Sequence, residues 1–284
     1  MTDFNSEVTL ERLARAVEAT QAICALPAIA TQEWCDLAAE ALAIITPNAL
    51  VGVAIAQIDS EGGLNNVEAA GAAGPDAGAE ALQILRNRFT TSKTLGWSLG
   101  DPTKWRSAQT ARIEQTPVGF VWPSSNGGRV WAGVGADDVM VGVCSLSQND
   151  PNRVIVAEIG APAANGHFTD EDAVLFRTLL APVAAKTRVA FGDEPINASR
   201  MLTQREQEIL EHLALGKSVR EIAEQLSRSP HTVHDHVKAL HRKLRASSRG
   251  ALIARALGHN VNTRENGAKA TAPAALRTPA ARFG

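Results

Sequence analysis

Three helix starts lie within 27 residues of the C-terminal part of the chain, and few folds accommodate helices this short and this close. The first two follow capping boxes of the form S/T-x-x-E, at 203–206 and 218–221, in which a hydroxyl and a carboxylate bond the free N–H groups of the first turn. The third follows Ser229, with Pro230 at the first helical position, where an N–H is not needed. The pattern predicts three helices joined by tight turns over about 202–245.

The third predicted helix has one apolar and one polar face. Its apolar stripe recurs at spacings of four, three and four, at Val233, Val237, Leu240 and Leu244. At 100° per residue the opposite face carries His231, His234, Asp235, Lys238, Arg242 and Arg245. Such a helix suits the major groove of DNA, where its N-terminal part contacts base edges and the remainder lies along phosphates.

The charge distribution agrees with this interpretation. The net charge of −2 divides into −10 over residues 1–198, +5 over 199–260 and +3 over 261–284. Attraction to phosphate depends on local potential, so only the C-terminal part is expected to meet a polyanion.

The run LTQREQEILEHLALGKSVREIAEQLSRSPHTVHDHVKALHRKL resembles the LuxR/GerE family of DNA-binding domains in its T-x-R-E start, G-x-S turn, E-I-A helix and S-P-x-T-V-x-x-H helix. The resemblance spans Leu202 to His259 and implies a four-helix domain, with the last helix over 247–257. It implies base contacts from Thr232, His234, Asp235 and Lys238. The phosphate contacts we predict are Lys217, Arg220, His231, Arg242 and Arg245.

Two positions depart from the family pattern. The family often has a basic residue where His234 stands, and Asp235 repels phosphate while it can accept from the amino group of cytosine. Arg245 stands where relatives usually have glycine. A non-glycine residue in the left-handed conformation costs on the order of 1 kcal/mol, although a cation at a helix C-terminus recovers part of it.

The N-terminal part alternates helical and strand-like segments. Helices are predicted over 10–24, 31–45, 79–89 and 170–190, and strands over 50–58 and 67–70. Two antiparallel hairpins are predicted, 118–122 with 129–134 around the Asn126-Gly127 step, and 139–146 with 154–160. This order predicts an α+β domain with an antiparallel sheet and flanking helices, which precedes the all-α helix-turn-helix domain.

The strand RVIVAEIG, a short polar loop and the HFTDED start of an apolar helix resemble the end of a GAF domain, over about residues 30–190. A PAS-like or unrelated α+β sheet is the alternative. We therefore predict a GAF-like sensor and dimerisation domain at 1–191, a linker at 192–198 and the LuxR-type domain at 199–260. The tail, 261–284, is predicted to be disordered because it has almost no large apolar side chains to bury.

These features predict a cytoplasmic transcriptional regulator, because the acidic start lacks a secretory signal and no apolar run approaches the roughly 20 residues of a membrane span. Its expected partners are double-stranded DNA, a second copy of the chain through the stripe Leu10, Leu13 and Val17, and a small molecule or RNA polymerase. Neither a metal nor a cofactor is expected, since no cysteine accompanies the histidines near 231–236.

Three questions remain open from the sequence. The tryptophans at 97, 105, 122 and 131 either form a core or line a ligand pocket. A phosphorelay output protein is an alternative that would need a receiver domain, for which no suitable arrangement of acids is visible. An enzymatic N-terminal domain is a second alternative, but His167 is the only histidine before residue 199 and no catalytic triad order or phosphate loop is present.

Overall fold

The computed structural model describes residues 2–59, 61–74, 77–147, 149–162, 167–192 and 200–256. The helices of the N-terminal part are α1 (Thr2–Cys24), α2 (Trp34–Ala43), α3 (Ala79–Thr91), α4 (Asn126–Gly133) and α5 (Asp170–Phe191). Its strands are β1 (Leu50–Ile58), β2 (Leu64–Ala73), β3 (Gln109–Arg112), β4 (Asp138–Ser145) and β5 (Arg153–Ala161). The C-terminal part holds α6 (Gln204–Ala214), α7 (Val219–Gln225), α8 (Pro230–Lys243) and α9 (Arg249–Ala256).

The five strands form one sheet in the order β2-β1-β5-β4-β3, and each of its strand pairs is antiparallel. Helices α1, α2 and α5 supply the apolar cluster on one face, and α3, α4 and short 3-10 turns supply the cluster on the other. Strands β4 and β5 are buried along their whole length because both faces of the sheet are covered. The α+β architecture and the hairpin predicted over 139–160 are confirmed.

The hairpin predicted over 118–134 is wrong. Residues Trp122–Ser124 form a 3-10 turn and the following residues form α4, whose N-cap Ser125 accepts a hydrogen bond from the Gly128 amide at 2.9 Å. A Cβ atom at Gly127 would meet the Trp122 indole ring, and one at Gly128 would meet the Trp122 carbonyl. The glycines therefore permit the close approach of Trp122 rather than a tight turn between strands. The edge beside β4 is taken by β3, which the sequence did not predict.

The C-terminal helices surround a core of their own. Its buried members include Leu202, Ile209, Leu210, Leu213, Ile222, Ala223, Val233, Leu240 and Leu252. Both predicted capping boxes are present, and the glycine after α6, Gly216, has the left-handed φ of +89° that ends this helix. The four-helix organisation implied by the family resemblance is confirmed, and the last helix begins two residues later than expected, at Arg249.

The two parts of the chain meet where the loop between α1 and α2 crosses the residues that lead into α6. The Gln32 amide donates to the Leu202 carbonyl at 3.0 Å, and the Leu202 amide donates to the Ala30 carbonyl at 2.9 Å. Met201 is buried in the N-terminal core, whereas Ile29 packs against the C-terminal core. We call this contact between 29–32 and 201–202 the interdomain bridge. Except for Gly192, the predicted linker and tail lie outside the described residues.

Candidate nucleic-acid interface

Helix α8 presents a polar face to solvent because its apolar stripe is held in the C-terminal core. Val233 and Leu240 are buried, and Val237 and Leu244 pack partly buried beside them. Its first turn is fixed by Ser229, whose hydroxyl accepts from the Thr232 amide at 3.1 Å. The four predicted base-contacting residues are all exposed on this helix, at Thr232, His234, Asp235 and Lys238. The structure thus brings them together on one surface.

Asp235 lies between two cationic or hydrogen-bonding neighbours on this surface. Its carboxylate oxygens are 3.5 Å from Nε2 of His231 and 3.4 Å from Nζ of Lys238. Exposed pairs of this kind contribute less than about 1 kcal/mol, so DNA can replace them without a large loss. The Thr232 hydroxyl is 2.8 Å from that of Ser229, which ties one predicted base contact to the helix cap.

The predicted phosphate contacts fall into two groups. His231, Arg242 and Arg245 lie exposed on α8 or directly after it, and Arg220 lies exposed on α7, with Nε 3.2 Å from Glu224. Lys217 is half-buried between α6 and α7. Its ammonium donates to the Gln225 side chain at 2.6 Å and lies 3.1 Å from Nδ1 of His212. Lys217 is therefore held in place before any contact with DNA.

Arg245 adopts the left-handed backbone conformation that its departure from the family pattern predicts, with a φ of +50°. It follows the C-cap of α8, and its amide donates back to the Arg242 carbonyl at 3.3 Å. Since glycine has no Cβ to clash in this region, the arginine carries a backbone strain that glycine would not.

Replacing Arg245 with Gly is expected to raise the free energy of unfolding of the C-terminal domain by less than about 1 kcal/mol, because the relief of backbone strain exceeds the loss of a cation at the helix C-terminus. The matched control is Arg242→Gly, which places glycine at a right-handed helical position and should lower that free energy by about 1 kcal/mol. Hydrogen exchange of the most protected α8 amides measures both changes. A loss of stability in Arg245→Gly would contradict the prediction.

A buried ion pair supports the C-terminal end of α8. Lys243 Nζ lies 2.6 Å from the Glu206 carboxylate and donates to the Met201 carbonyl at 2.9 Å. Burial raises the pKa of Glu206, but hydrogen bonds from Lys243 and the Thr203 amide and the charge of Lys243 outweigh it, so that the net pKa is lowered. Glu206 is therefore held ionised, and one carboxylate joins the cap of α6 to the end of α8.

Sequence reasoning missed two basic residues that fix the helices. Lys243 belongs to no local motif, and its partner Glu206 is 37 positions away. Arg249 Nη2 donates to the Leu213 carbonyl at 2.7 Å and to the Lys217 carbonyl at 2.9 Å, which satisfies one carbonyl in the last turn of α6 and one in the turn after it. Neither contact has a local spacing that the sequence alone could have revealed.

The N-terminal domain contains a polar centre that the sequence did not indicate. The buried Glu158 carboxylate accepts from Arg88 Nε and Nη2, each at 2.6 Å, from Trp97 Nε1 at 2.6 Å and from Trp131 Nε1 at 2.7 Å. Trp122 lies beside the pair, with its ring centroid 5.6 Å from Arg88 Cζ. We call Arg88, Glu158, Trp97 and Trp131 the buried Glu158 network.

The remaining candidate groups are dispersed. All four tryptophans in question are buried. His167 is exposed, with Nδ1 3.5 Å from the Asp138 carboxylate. Burial, followed by the nearby carboxylates, raises the pKa of the Cys35 thiol far above its ordinary value. Within the described part of the chain, no group of three or more His, Cys, Asp or Glu side chains could hold a metal ion. Nor is any helix there long and apolar enough to cross a membrane.

Comparisons with known proteins identify the C-terminal domain. Residues 200–256 match the family model for bacterial regulatory proteins of the luxR family, GerE, so these residues form a LuxR-type helix-turn-helix domain. The chain is 27% identical over 146 residues to the "Probable transcriptional regulatory protein NarL" of Mycobacterium tuberculosis, in strains CDC 1551 / Oshkosh and ATCC 25618 / H37Rv. That match covers 48% of this chain and 68% of the relative.

Solved structures resemble the chain only weakly. Escherichia coli SdiA is 20% identical with a TM-score of 0.32, covering 80% of this chain and 89% of that chain. SdiA in complex with octanoyl-rac-glycerol is 18% identical with a TM-score of 0.34, covering 92% and 99%. TM-scores this low do not establish a common fold for the N-terminal domain.

Proposed function

We propose that the chain is a transcriptional regulator that binds double-stranded DNA as a homodimer, and that its N-terminal domain modulates this binding. One observation carries the proposal: a LuxR-type domain displays Thr232, His234, Asp235 and Lys238 on the exposed face of α8. A helix-turn-helix places its recognition helix in the major groove, where these side chains would meet base edges. Lys217, Arg220, His231, Arg242 and Arg245 would meet phosphates.

The interdomain bridge supports modulation by the N-terminal domain. Leu202 is bonded to the loop between α1 and α2, and the preceding residue, Met201, accepts from Lys243 at the end of α8. We propose that a change in the N-terminal core is passed to α8 through these two hydrogen-bonded contacts. The signal in this proposal is a small molecule or a protein, sensed by a GAF-like or PAS-like domain in the cytoplasm. RNA polymerase is a proposed contact of the regulator.

The two alternative functions receive less support. A receiver domain would need acids gathered at the carboxyl ends of parallel strands, and each strand pair in the described sheet is antiparallel. For an enzymatic N-terminal domain, the Glu158 network offers no reactive group, because its carboxylate is already saturated by four hydrogen bonds and shielded from solvent. The other buried carboxylate pair, Glu68 with Arg153, is likewise hydrogen-bonded and shielded.

Selection of bound sequences from a random pool of duplex DNA, with the full-length chain, tests the proposed function. We expect enrichment of a site with two-fold symmetry, because a dimer of helix-turn-helix domains contacts two half-sites. The double variant His234→Ala/Lys238→Ala is the control and should select a different or degenerate site. An unenriched pool from the parent protein would refute sequence-specific DNA binding.

Replacing Ile29 with Asp is expected to open the interdomain bridge, because it places a charge at a partly buried position against the apolar C-terminal core. We expect the Gln32 and Leu202 amides to exchange at least about tenfold faster and DNA affinity to change. Ile84→Asp is the matched control, since Ile84 is 38% exposed on α3, and it should leave both quantities unaltered. Equal exchange and affinity in both variants would argue against coupling through the bridge.

A further inference from the structure

The exposed face of α1 carries the apolar stripe that the sequence predicts to contact a second copy of the chain. Leu10, Leu13 and Val17 are 66%, 58% and 57% exposed, which is a large apolar area for side chains of this size in one stripe. The side of the helix that carries Ala19 and Ile23, next to the stripe, is buried against the domain. The stripe is therefore not the side through which α1 packs onto its own domain.

The exposed stripe has the spacing of a coiled-coil seam. Leu10, Leu13, Val17, Thr20 and Cys24 follow one another at three, four, three and four residues, which are successive a and d positions of a heptad. All five are exposed. The flanking e and g positions between Leu10 and Cys24 hold uncharged residues, Ala14, Ala16, Gln21 and the buried Ile23, so that no charges oppose each other when two such helices meet.

Contacts with α5 hold α1 in one orientation. Arg12 Nη2 lies 2.6 Å from the Asp172 carboxylate at the start of α5, and Lys186 Nζ donates to the Cys24 carbonyl at 2.6 Å further along it. Both ends of the seam are thereby fixed on the domain, which lowers the entropy lost when a partner helix binds.

The position of the DNA-binding domain decides the orientation of a partner. The C-terminal end of α1 leads directly into the loop of the interdomain bridge, so the helix-turn-helix domain is attached at that end. A second copy whose α1 runs parallel places both DNA-binding domains at the same end of the dimer. An antiparallel copy would place them at opposite ends, where two adjacent half-sites of one DNA could not both be reached.

We propose that this α1 seam is the homodimer interface, occupied by α1 of a second copy of the chain in parallel and in register. This proposal rests on the proposed function as a homodimeric regulator and names the surface through which the two copies bind. In this arrangement each residue of the seam faces its own counterpart across a two-fold axis. The two Cys24 thiols then meet at one a layer.

Sedimentation of the full-length chain without DNA tests the interface. We expect a dimer for the parent protein and a rise of about 100-fold or more in the dimer dissociation constant for Leu13→Glu/Val17→Glu, because like charges then face each other in a buried seam. Val174→Glu on α5 is the matched control, since Val174 is 50% exposed, and it should remain dimeric. A dimer of unchanged affinity in the α1 variant would overturn the proposal.

Crosslinking of the unsubstituted seam gives a second test that does not depend on how the variants fold. Cys24 is exposed whereas Cys35 and Cys144 are buried, so a short bifunctional maleimide should join two chains through Cys24 alone. Cys24→Ser should abolish the covalent dimer.

The outcomes distinguish the interface from the proposed function. A protein that sediments as a dimer but does not crosslink would refute the parallel pairing but not DNA binding. A parent protein that is monomeric both alone and on its selected DNA would refute the homodimer. Failure of the DNA selection would instead refute the proposed function as a sequence-specific regulator.

Discussion

Replacing Arg88 with Met is expected to lower the free energy of unfolding of the N-terminal domain by about 3–5 kcal/mol, because it leaves a buried carboxylate without its counter-ion. Glu158 and Arg88 are both 0% exposed, and the guanidinium supplies two of the four hydrogen bonds that the carboxylate accepts. The Trp97 and Trp131 indoles supply the others and cannot neutralise its charge. The hydrogen bond from Arg88 to the Leu95 carbonyl is lost as well.

Arg86→Met is the matched control on the same helix. Arg86 Nε lies 2.8 Å from the Asp36 carboxylate, but the two side chains are 33% and 23% exposed, so water can solvate whichever partner remains. The loss expected there is about 1 kcal/mol or less. Urea denaturation followed by tryptophan fluorescence measures both variants, since Trp97 and Trp131 contact the carboxylate directly. Similar losses of unfolding free energy in the two variants would mean that burial does not determine the cost of removing the arginine.

The buried Glu158 network also explains why the tryptophans could not be assigned from the sequence. Two of them bond Glu158, which lies 61 and 27 positions from Trp97 and Trp131. The pairing depends on Arg88, on a helix 70 positions away, and on β5. A buried charge of this kind has no sequence signature, because a glutamate in an apolar strand resembles a surface position until its partners are known.

The sequence predicted the structure correctly where the interacting groups are three or four residues apart. The capping boxes that begin with Thr203 and Ser218 form as predicted, since both partners belong to one turn of helix. The Asn126-Gly127 step misled the prediction because its favourable turn geometry competes with packing against Trp122, a contact fixed by the tertiary fold. The left-handed Arg245 was predicted because a family pattern with glycine at this position marks a backbone constraint.

The sequence correctly predicted which side chains of α8 share its exposed face, while the contacts of these side chains with DNA stay a prediction. A period of 3.6 residues determines which side chains share a face, and burial of Val233 and Leu240 determines which face is exposed. The state of those side chains before binding could not be predicted. Asp235 is paired with His231 and Lys238, and Lys217 is held by Gln225, through contacts that depend on side-chain conformation.

These two lysines should therefore affect DNA binding in different ways. Replacing Lys238 with Ala is expected to weaken binding to the selected site by about 1–3 kcal/mol and to relax preference at one base pair, because its exposed ammonium would donate to a base edge in the groove. Replacing Lys217 with Ala should weaken binding to every sequence alike and reduce the slope of log affinity against log salt by about 1, as the loss of one phosphate contact does.

Equilibrium binding of the full-length variants to the selected site and to single-base variants of it, over a series of salt concentrations, separates the two effects. Lys104→Ala, which removes an exposed charge from the N-terminal domain, is the control and should leave specificity and salt slope unchanged. Asp235 adds an internal check. When Lys238 is absent, the Asp235 carboxylate loses a nearby cation and repels phosphate more strongly. The penalty of Lys238→Ala should therefore shrink in an Asp235→Asn background, and a penalty independent of residue 235 would mean that the two side chains are not paired on DNA.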